Sequence, residues 1–429
     1  MTDIDEIRKV AVIGGGMLGS GIAQVALLSG YDKVTIIDLK KEILEKSREL
    51  IQERIESLQS EENFKQYLAK TDTPNEHFAN INFSEKRNDF KSVGIIAQNI
   101  DTKTIMSRLR TETDLSVGVS DADFVIEAVS EILELKQEIF GKLGEYTPTH
   151  TLLATNTSTM SITRISELSK KKDKIIGMHF HTFFPIMGML IEITPGTDSS
   201  EDSLSLGELI AQNFPSFIDE RFTARLEKES PGFIGNRIAI VQSLYFSWIE
   251  EKALERGITQ AQLESIGISP EGIDVLGVDT VYYCAKYFEK YVSPEFAPSK
   301  RIENLVKEGR LGKKVGIGFY EWKDNKPIKK IEDLDEKDVE FLTGLLKPDI
   351  FNAIRLNEAC KMLEEGVVRS YELIDRAILK GTFMPGPFSI AKDKYEELTK
   401  ILYDTMKETG LTYIKPCKMM ESGNFLNNK

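Results

Sequence analysis

Thiols, imidazoles and long apolar runs are all scarce in this chain. Its three cysteines, Cys284, Cys360 and Cys417, are far apart and odd in number. That argues against a disulfide framework and a thiolate metal site, and no metal is implied. The most apolar window, Ile175 to Ile193, is broken by two His, a Pro, two Gly and a Glu. It is too interrupted to cross a bilayer and reads as buried strand, loop and strand. A basic excess is also missing: 55 Lys and Arg against 68 Asp and Glu leave a net charge of −13, which argues against a nucleic-acid partner. A polyanionic small ligand remains compatible, because it feels only its local site. The opening MTDIDEIRKV carries no targeting pattern and the closing FLNNK no peroxisomal or ER tag. The expectation is a cytoplasmic protein with no membrane partner.

What is present is first a glycine pattern. Lys9 to Ile13 is a short β-branched run suited to a strand buried on both faces. Gly14, Gly16 and Gly19 follow as G-x-G-x-x-G. From Met17 and Leu18 the pattern turns helical through Ile22, Val25, Ala26 and Leu28, with Gly30 as a stop. The next run, KVTIID, is a second buried strand ending in Asp38. The chemistry behind this spacing is specific. Gly14 allows a tight strand-to-helix turn, Gly16 lets backbone approach a pyrophosphate, and Gly19 lets the helix lie close to the sheet. Asp38 accepts hydrogen bonds from an adenosine ribose and repels a 2′-phosphate, which favours NAD over NADP. Lys40 and Lys41 soften that preference. Strand, glycines, helix, strand and acidic tip in this order predict a dinucleotide site.

A long, charged helical region is expected from Glu42 to about Lys70, then an irregular excursion over Thr71 to Lys103. Order returns with a strand at Asp123–Ala128, a helix at Glu131–Leu143 and a strand at Thr151–Thr155. NTSTMSITRI follows and offers a helix start at Ser158 or Thr159. The most unusual passage is GMHFHTFFPIMGMLIEI, Gly177 to Ile193, which holds two of the four histidines and one carboxylate. An unpaired buried charge costs several kcal/mol, so Glu192 needs a partner, and His179 and His181 compete for that place.

Taken together, the passages VIGGGMLGSGIAQVALLSGY, ADFVIEAVSEILELKQEIF, TNTSTMSIT, the His179 segment, SPGFIGNR and LGKKVGIGFYEW resemble the 3-hydroxyacyl-CoA dehydrogenase family in content and order. The resemblance covers about residues 8 to 325. It implies that Ser158, His179, Glu192 and Asn236 occupy the family's active-site positions. It places Glu131 and Lys136 near the nicotinamide end of NAD, and Asn156 joins Gly14, Gly16, Met17, Leu18, Gly19 and Asp38 in the cofactor-binding set. His179 suits a general base because imidazole titrates near neutral pH. Glu192 would hold its tautomer and stabilise the imidazolium. Ser158 and Asn236 would fix the substrate oxygens.

Four departures stand out. The family's usual H-F-F-N-P is here His179-Phe180-His181-Thr182-Phe183. The interval from His179 to Glu192 is 13 positions, one longer than usual, and a one-residue slip in a strand would turn Glu192 to the wrong face unless a bulge or loop absorbs it. Ile132 replaces the usual Asn after the VxE Glu. The lysine-rich K-G-K grip for CoA is missing, and Thr71 to Lys103 is unusual where it would be expected.

From Pro231 the chain reads as helical, and EEKALERG resembles EACKMLEEG at Glu358–Gly366. With MPGPF and KPCKMM, the back half looks like that of the dehydrogenase part of multifunctional β-oxidation proteins. The expected architecture is α/β. A Rossmann-type domain at 1–230 is followed by two all-α modules of the family's C-terminal type in tandem, at 231–325 and 345–429, joined by Lys323–Asp338. Such a duplication implies a monomer with an internal pseudo-dimer of helical modules; the alternative is a homodimer. The implied reaction is NAD-dependent oxidation of an L-3-hydroxyacyl-CoA, or its reverse. Two rivals are a dehydrogenase of a free hydroxy acid or polyol and a non-catalytic NAD(H)-binding protein. The β-hydroxyacid dehydrogenase group is disfavoured, because Gly232 stands where that group uses lysine.

Overall fold

A computed structural model of the chain describes residues 4–59, 62, 63, 66, 101–181, 188–216 and 220–427. Most of the excursion expected at Thr71–Lys103 lies outside these, with residues 71–100 undescribed. The chain divides into two compact units. One comprises Met1–Phe233 with Ala377–Met384; the other comprises Ile234–Arg376 with Pro385–Lys429.

The first unit is built on one sheet of eight strands: β1 (Lys9–Ile13), β2 (Lys33–Ile37), β3 (Leu109–Glu112), β4 (Phe124–Glu127), β5 (Leu152–Thr155), β6 (Ile175–Phe180), β7 (Leu190–Pro195) and β8 (Phe222–Arg225). Their spatial order is β3-β2-β1-β4-β5-β6-β7-β8, and β1 to β6 are parallel. This is the doubly wound arrangement, with a topological switch between β1 and β4, where the chain leaves β1 to go one way and later returns to the other side. Strands such as KVAVI and KVTII are β-branched and buried beyond their first residue, as a sheet covered on both faces demands. The core includes Val10, Val12, Ile36, Phe124, Ile126, Ile176, Phe180 and Ile191.

β7 runs antiparallel to β6, and β8 parallel to β7. The β6–β7 ladder is regular from Ile176↔Pro195 to Phe180↔Ile191 and pairs His179 directly with Glu192. The extra residue of the His–Glu interval is therefore taken up between the strands, and no slip enters the ladder. Directly opposed residues of an antiparallel pair share a face, so the two side chains meet.

Two local expectations are corrected. The helix after NTSTM begins at Ile162, not at Ser158 or Thr159, and Ser161 is its N-cap, accepting a hydrogen bond from the Arg164 N–H. Thr157 Oγ1 instead accepts the Met160 N–H at 3.1 Å, turning the chain before the helix starts. The segment Lys323–Asp338 is not merely a charged joint. It contributes to a hairpin of β9 (Trp322–Lys323) and β10 (Lys326–Pro327), and then to a helix at Glu336–Leu345 capped by Asp335.

The second unit is helical apart from that hairpin. Its helices Gly235–Glu255 and Pro348–Glu364 pack on one another. The joint is charged as well as apolar. Arg237 Nε donates to Glu358 Oε1 at 2.6 Å, and its two terminal nitrogens reach Glu365 at 2.7 and 2.8 Å. Lys361 Nζ stands 3.2 Å from Glu358, and Arg237 and Glu358 are both buried. Among the described residues no helix is long and apolar enough to cross a membrane.

Candidate active site

The dinucleotide end is assembled at the switch between β1 and β4. Gly14 has φ +104°, and a Cβ there would meet the Ala128 carbonyl oxygen at 2.6 Å. A Cβ at Gly19 would collide with the Gly14 carbonyl, so only glycine lets helix α1 (Met17–Leu28) close onto β1. The N-cap of α1 is Gly16, which makes no side-chain cap and faces open space. Free N–H groups at a helix N-terminus, with room in front of them, fit a pyrophosphate. Asp38 follows β2; its Oδ2 accepts from the Gly15 N–H at 2.9 Å and its Oδ1 from the Lys40 N–H at 3.2 Å. These contacts anchor the carboxylate at the edge of the glycine turn. The residues present therefore fit a dinucleotide.

Three strand ends along the sheet carry the remaining groups. At the end of β4, Glu127 is fully buried and accepts from Val129 N at 2.7 Å, Lys136 Nζ at 2.6 Å and Thr155 Oγ1 at 2.7 Å. Lys136 is thus enclosed, and its Nζ also lies 3.8 Å from Glu131 Oε2. Glu131 in turn accepts from Thr157 Oγ1 at 2.8 Å and from the Ser158 N–H at 2.9 Å. Glu131, Lys136 and Ser158 are accordingly brought into one network. Glu127, its centre, was missed by the sequence reading. The signal was available: a carboxylate ending the apolar run FVIE needs a partner for the same reason as Glu192. Asn156 is used as a clamp, its Oδ1 accepting the Phe180 N–H at 2.9 Å. It ties the loop after β5 to the end of β6, one residue from His179.

At that end, His179 Nδ1 lies 2.6 Å from Glu192 Oε2, with both side chains buried. The Phe233 ring sits 5.6 Å from the imidazole. His181 continues the hairpin, donating its N–H to the Leu190 carbonyl, but its Nδ1 stands 3.9 Å from Glu192 Oε2. That is beyond hydrogen-bond distance, so His179 takes the contact for which the two histidines compete in sequence. Burial pushes the His181 imidazole down to about 4, against the pull of Glu192 and with the help of His179. Asn236 stands in the first turn of helix Gly235–Glu255, in the second unit.

Comparison with known proteins identifies the family. The family model described as 3-hydroxyacyl-CoA dehydrogenase, NAD binding domain, matches residues 9–101 and 94–213, and that described as 3-hydroxyacyl-CoA dehydrogenase, C-terminal domain, matches residues 232–322. The chain belongs to the 3-hydroxyacyl-CoA dehydrogenase family. It is 32% identical over 328 residues to the mitochondrial hydroxyacyl-coenzyme A dehydrogenase of Rattus norvegicus, covering 74% of this chain and 92% of that one. It is 26% identical over 442 residues to the peroxisomal fatty acid beta-oxidation multifunctional protein MFP2 of Arabidopsis thaliana, covering 97% of this chain and 54% of that one. The crystal structure of 3-hydroxybutyryl-CoA dehydrogenase from Escherichia coli K12 shares the fold, with a TM-score of 0.67 at 23% identity, covering 98% of this chain and 99% of that one. This 3-hydroxyacyl-CoA dehydrogenase relative is thus an oxidoreductase that acts on CH–OH and uses NAD.

Proposed function

We propose that the protein interconverts an L-3-hydroxyacyl-CoA and its 3-oxo form, with His179 as general base and acid. The 2.6 Å contact between His179 Nδ1 and Glu192 Oε2 carries this reading. A proton on Nδ1, donated to Glu192, leaves the Nε2 lone pair free to take the proton of the alcohol. Glu192 holds the ring in that tautomer and offsets the charge of the imidazolium once it forms. NAD, when bound, supplies the hydride acceptor. Ser158 and Asn236 hold the substrate oxygens in this proposal, and Glu131 keeps the Ser158 loop in place through the Ser158 N–H and Thr157. Asp38 selects NAD over NADP.

The experiment follows NADH absorbance with acetoacetyl-CoA, comparing wild type with His179→Ala. Loss of turnover in a variant that still binds NADH is the expected result. Wild-type protein that binds NADH but turns over no acyl-CoA would sink the reading. Activity on free hydroxy acids alone would favour the second reading, which the missing K-G-K grip supports.

The proposal includes a duplicated helical module and, with it, a monomer covered by its own second copy. Two observations support the duplication. Helix Gly235–Glu255 and helix Pro348–Glu364 end alike: the N–H of Ile258 bonds Ala253 O, and that of Val367 bonds Met362 O, each across a glycine of positive φ. Each module also has an Ile-Asp pair whose carboxylate accepts two consecutive N–H groups: Asp274 from Phe319 and Tyr320, and Asp375 from Phe388 and Ser389. Sedimentation of the full chain checks the monomer, and cell fractionation checks the cytoplasmic location.

A further inference from the structure

We propose that His179, His181 and Glu192 form a binding site for a divalent transition metal of the zinc type, and that metal bound there turns His179 off as a base. The binding half rests on geometry alone; the inhibitory half rests on the reading of His179 given above.

The three side chains each bring one ligand atom to a common point, all within 4.8 Å of one another. His179 and His181 are two positions apart along one edge of the hairpin, so both imidazoles lean to the same side. Glu192 faces them from the paired strand. Two imidazoles and one carboxylate, with a fourth place for water, are a donor set that zinc accepts. Ligand distances of about 2.0–2.2 Å place tetrahedral donors roughly 3.3 Å apart. The present separations from Glu192 Oε2, 2.6 Å to His179 Nδ1 and 3.9 Å to His181 Nδ1, straddle that value. A metal bound there would draw the three donors to that spacing.

The second observation is an orphan. His181 Nδ1 is buried and has no hydrogen-bond partner among the described residues. An unsatisfied buried polar atom is destabilising, and an apolar ring would fill the same volume without that cost. Gly381, in the same compact unit, lies so close that a Cβ there would meet His181 Cδ2 at 2.8 Å. The imidazole is thus held in place with its nitrogen turned toward Glu192, and a metal would satisfy it.

The inhibition follows from proton placement. In the base-ready tautomer the single ring proton of neutral His179 sits on Nδ1 and the free electron pair on Nε2. A metal takes the electron pair of Nδ1, so that proton must move to Nε2. The ring stays neutral, but the nitrogen that would receive the substrate proton is now a donor.

The test uses the full chain, stripped of metal with a chelator, in wild-type, His181→Phe and His181→Asn forms. Binding of Co2+ is followed by its visible absorption and of Zn2+ by calorimetry, both without substrate, and Zn2+ inhibition of acetoacetyl-CoA reduction is read separately. Expected are one Co2+ per wild-type chain with tetrahedral absorption, and Zn2+ affinity weakened about tenfold or more in both variants. The inhibiting Zn2+ concentration should rise in parallel. Absence of binding to wild type, or equal binding in both variants, overturns the site. Binding that depends on His181 but leaves turnover untouched overturns the inhibitory half. A chain that binds metal through His181 yet turns over no acyl-CoA refutes the dehydrogenase reading and leaves the site standing.

Discussion

Two buried glutamates, one in each unit, show how differently a carboxylate can be held. Glu358 faces a permanently charged guanidinium, with Lys361 and the Tyr413 hydroxyl close by. Burial by itself would raise the pKa of Glu358, but Arg237 and Lys361 outweigh it and hold the carboxyl below its usual value. Glu192 faces the His179 imidazole, with a second imidazole just out of reach. The first arrangement holds the carboxylate between two cations, which suits a joint between helices. In the proposed function the second keeps the proton on His179 Nδ1, which leaves Nε2 for chemistry.

Removing the nitrogen-bearing partner of each pair sharpens that contrast. His179→Ala should lower the rate of acetoacetyl-CoA reduction by about 10²–10⁴-fold, measured against unchanged NADH binding. Arg237→Met should destabilise the chain by about 3–5 kcal/mol in urea unfolding, because it removes the main cation facing the buried Glu358 and leaves only Lys361 beside it. Replacing both partners with Arg237→Met and Glu358→Leu should recover most of that loss; a double variant as unstable as the single one would contradict a paired origin.

The acid limb of stability gives the next test. Because the folded Glu358 pKa is depressed, its contribution is present above the unfolded value of about 4.3 and is lost as pH falls through the folded value. Glu358→Gln should therefore flatten the fall in stability below about pH 4, and an unchanged acid limb would remove Glu358 from the account. Asp38→Ser should move the ratio of kcat/KM for NADH over NADPH toward NADPH by on the order of tenfold, about 1.4 kcal/mol. Smallest is Ser161→Ala, which removes a helix cap and should cost about 1 kcal/mol in thermal or urea unfolding with NADH binding retained.

Sequence legibility followed the same divide between local and distant causes. The β1–glycine–helix–β2 passage was readable because its residues dictate their own turn, strand period and helix packing within a short stretch. The pairing need of Glu192 was readable from burial alone, but its partner was not, since register depends on where the extra residue of the hairpin goes. β3 was not anticipated: LRTE alternates weakly and lies at the sheet edge, half of it exposed. The Glu127–Lys136 pair spans a turn and most of a helix start, and Arg237 reaches a carboxylate far along the chain. Neither leaves a periodic trace. The helix after NTSTM starts at Ile162 behind its Ser161 cap, and Thr157 Oγ1 accepts the N–H groups of Thr159 and Met160 before it.

Ala377–Met384 groups with the first unit although the residues on both sides of it group with the second. The chain therefore passes from one unit to the other three times. A fragment ending at Phe233 would contain every strand of the eight-stranded sheet yet lack the segment that lies against His181. Expression of that fragment alone is thus a poor surrogate for the whole, and a nick by protease near Met384 should be felt at the hairpin far upstream.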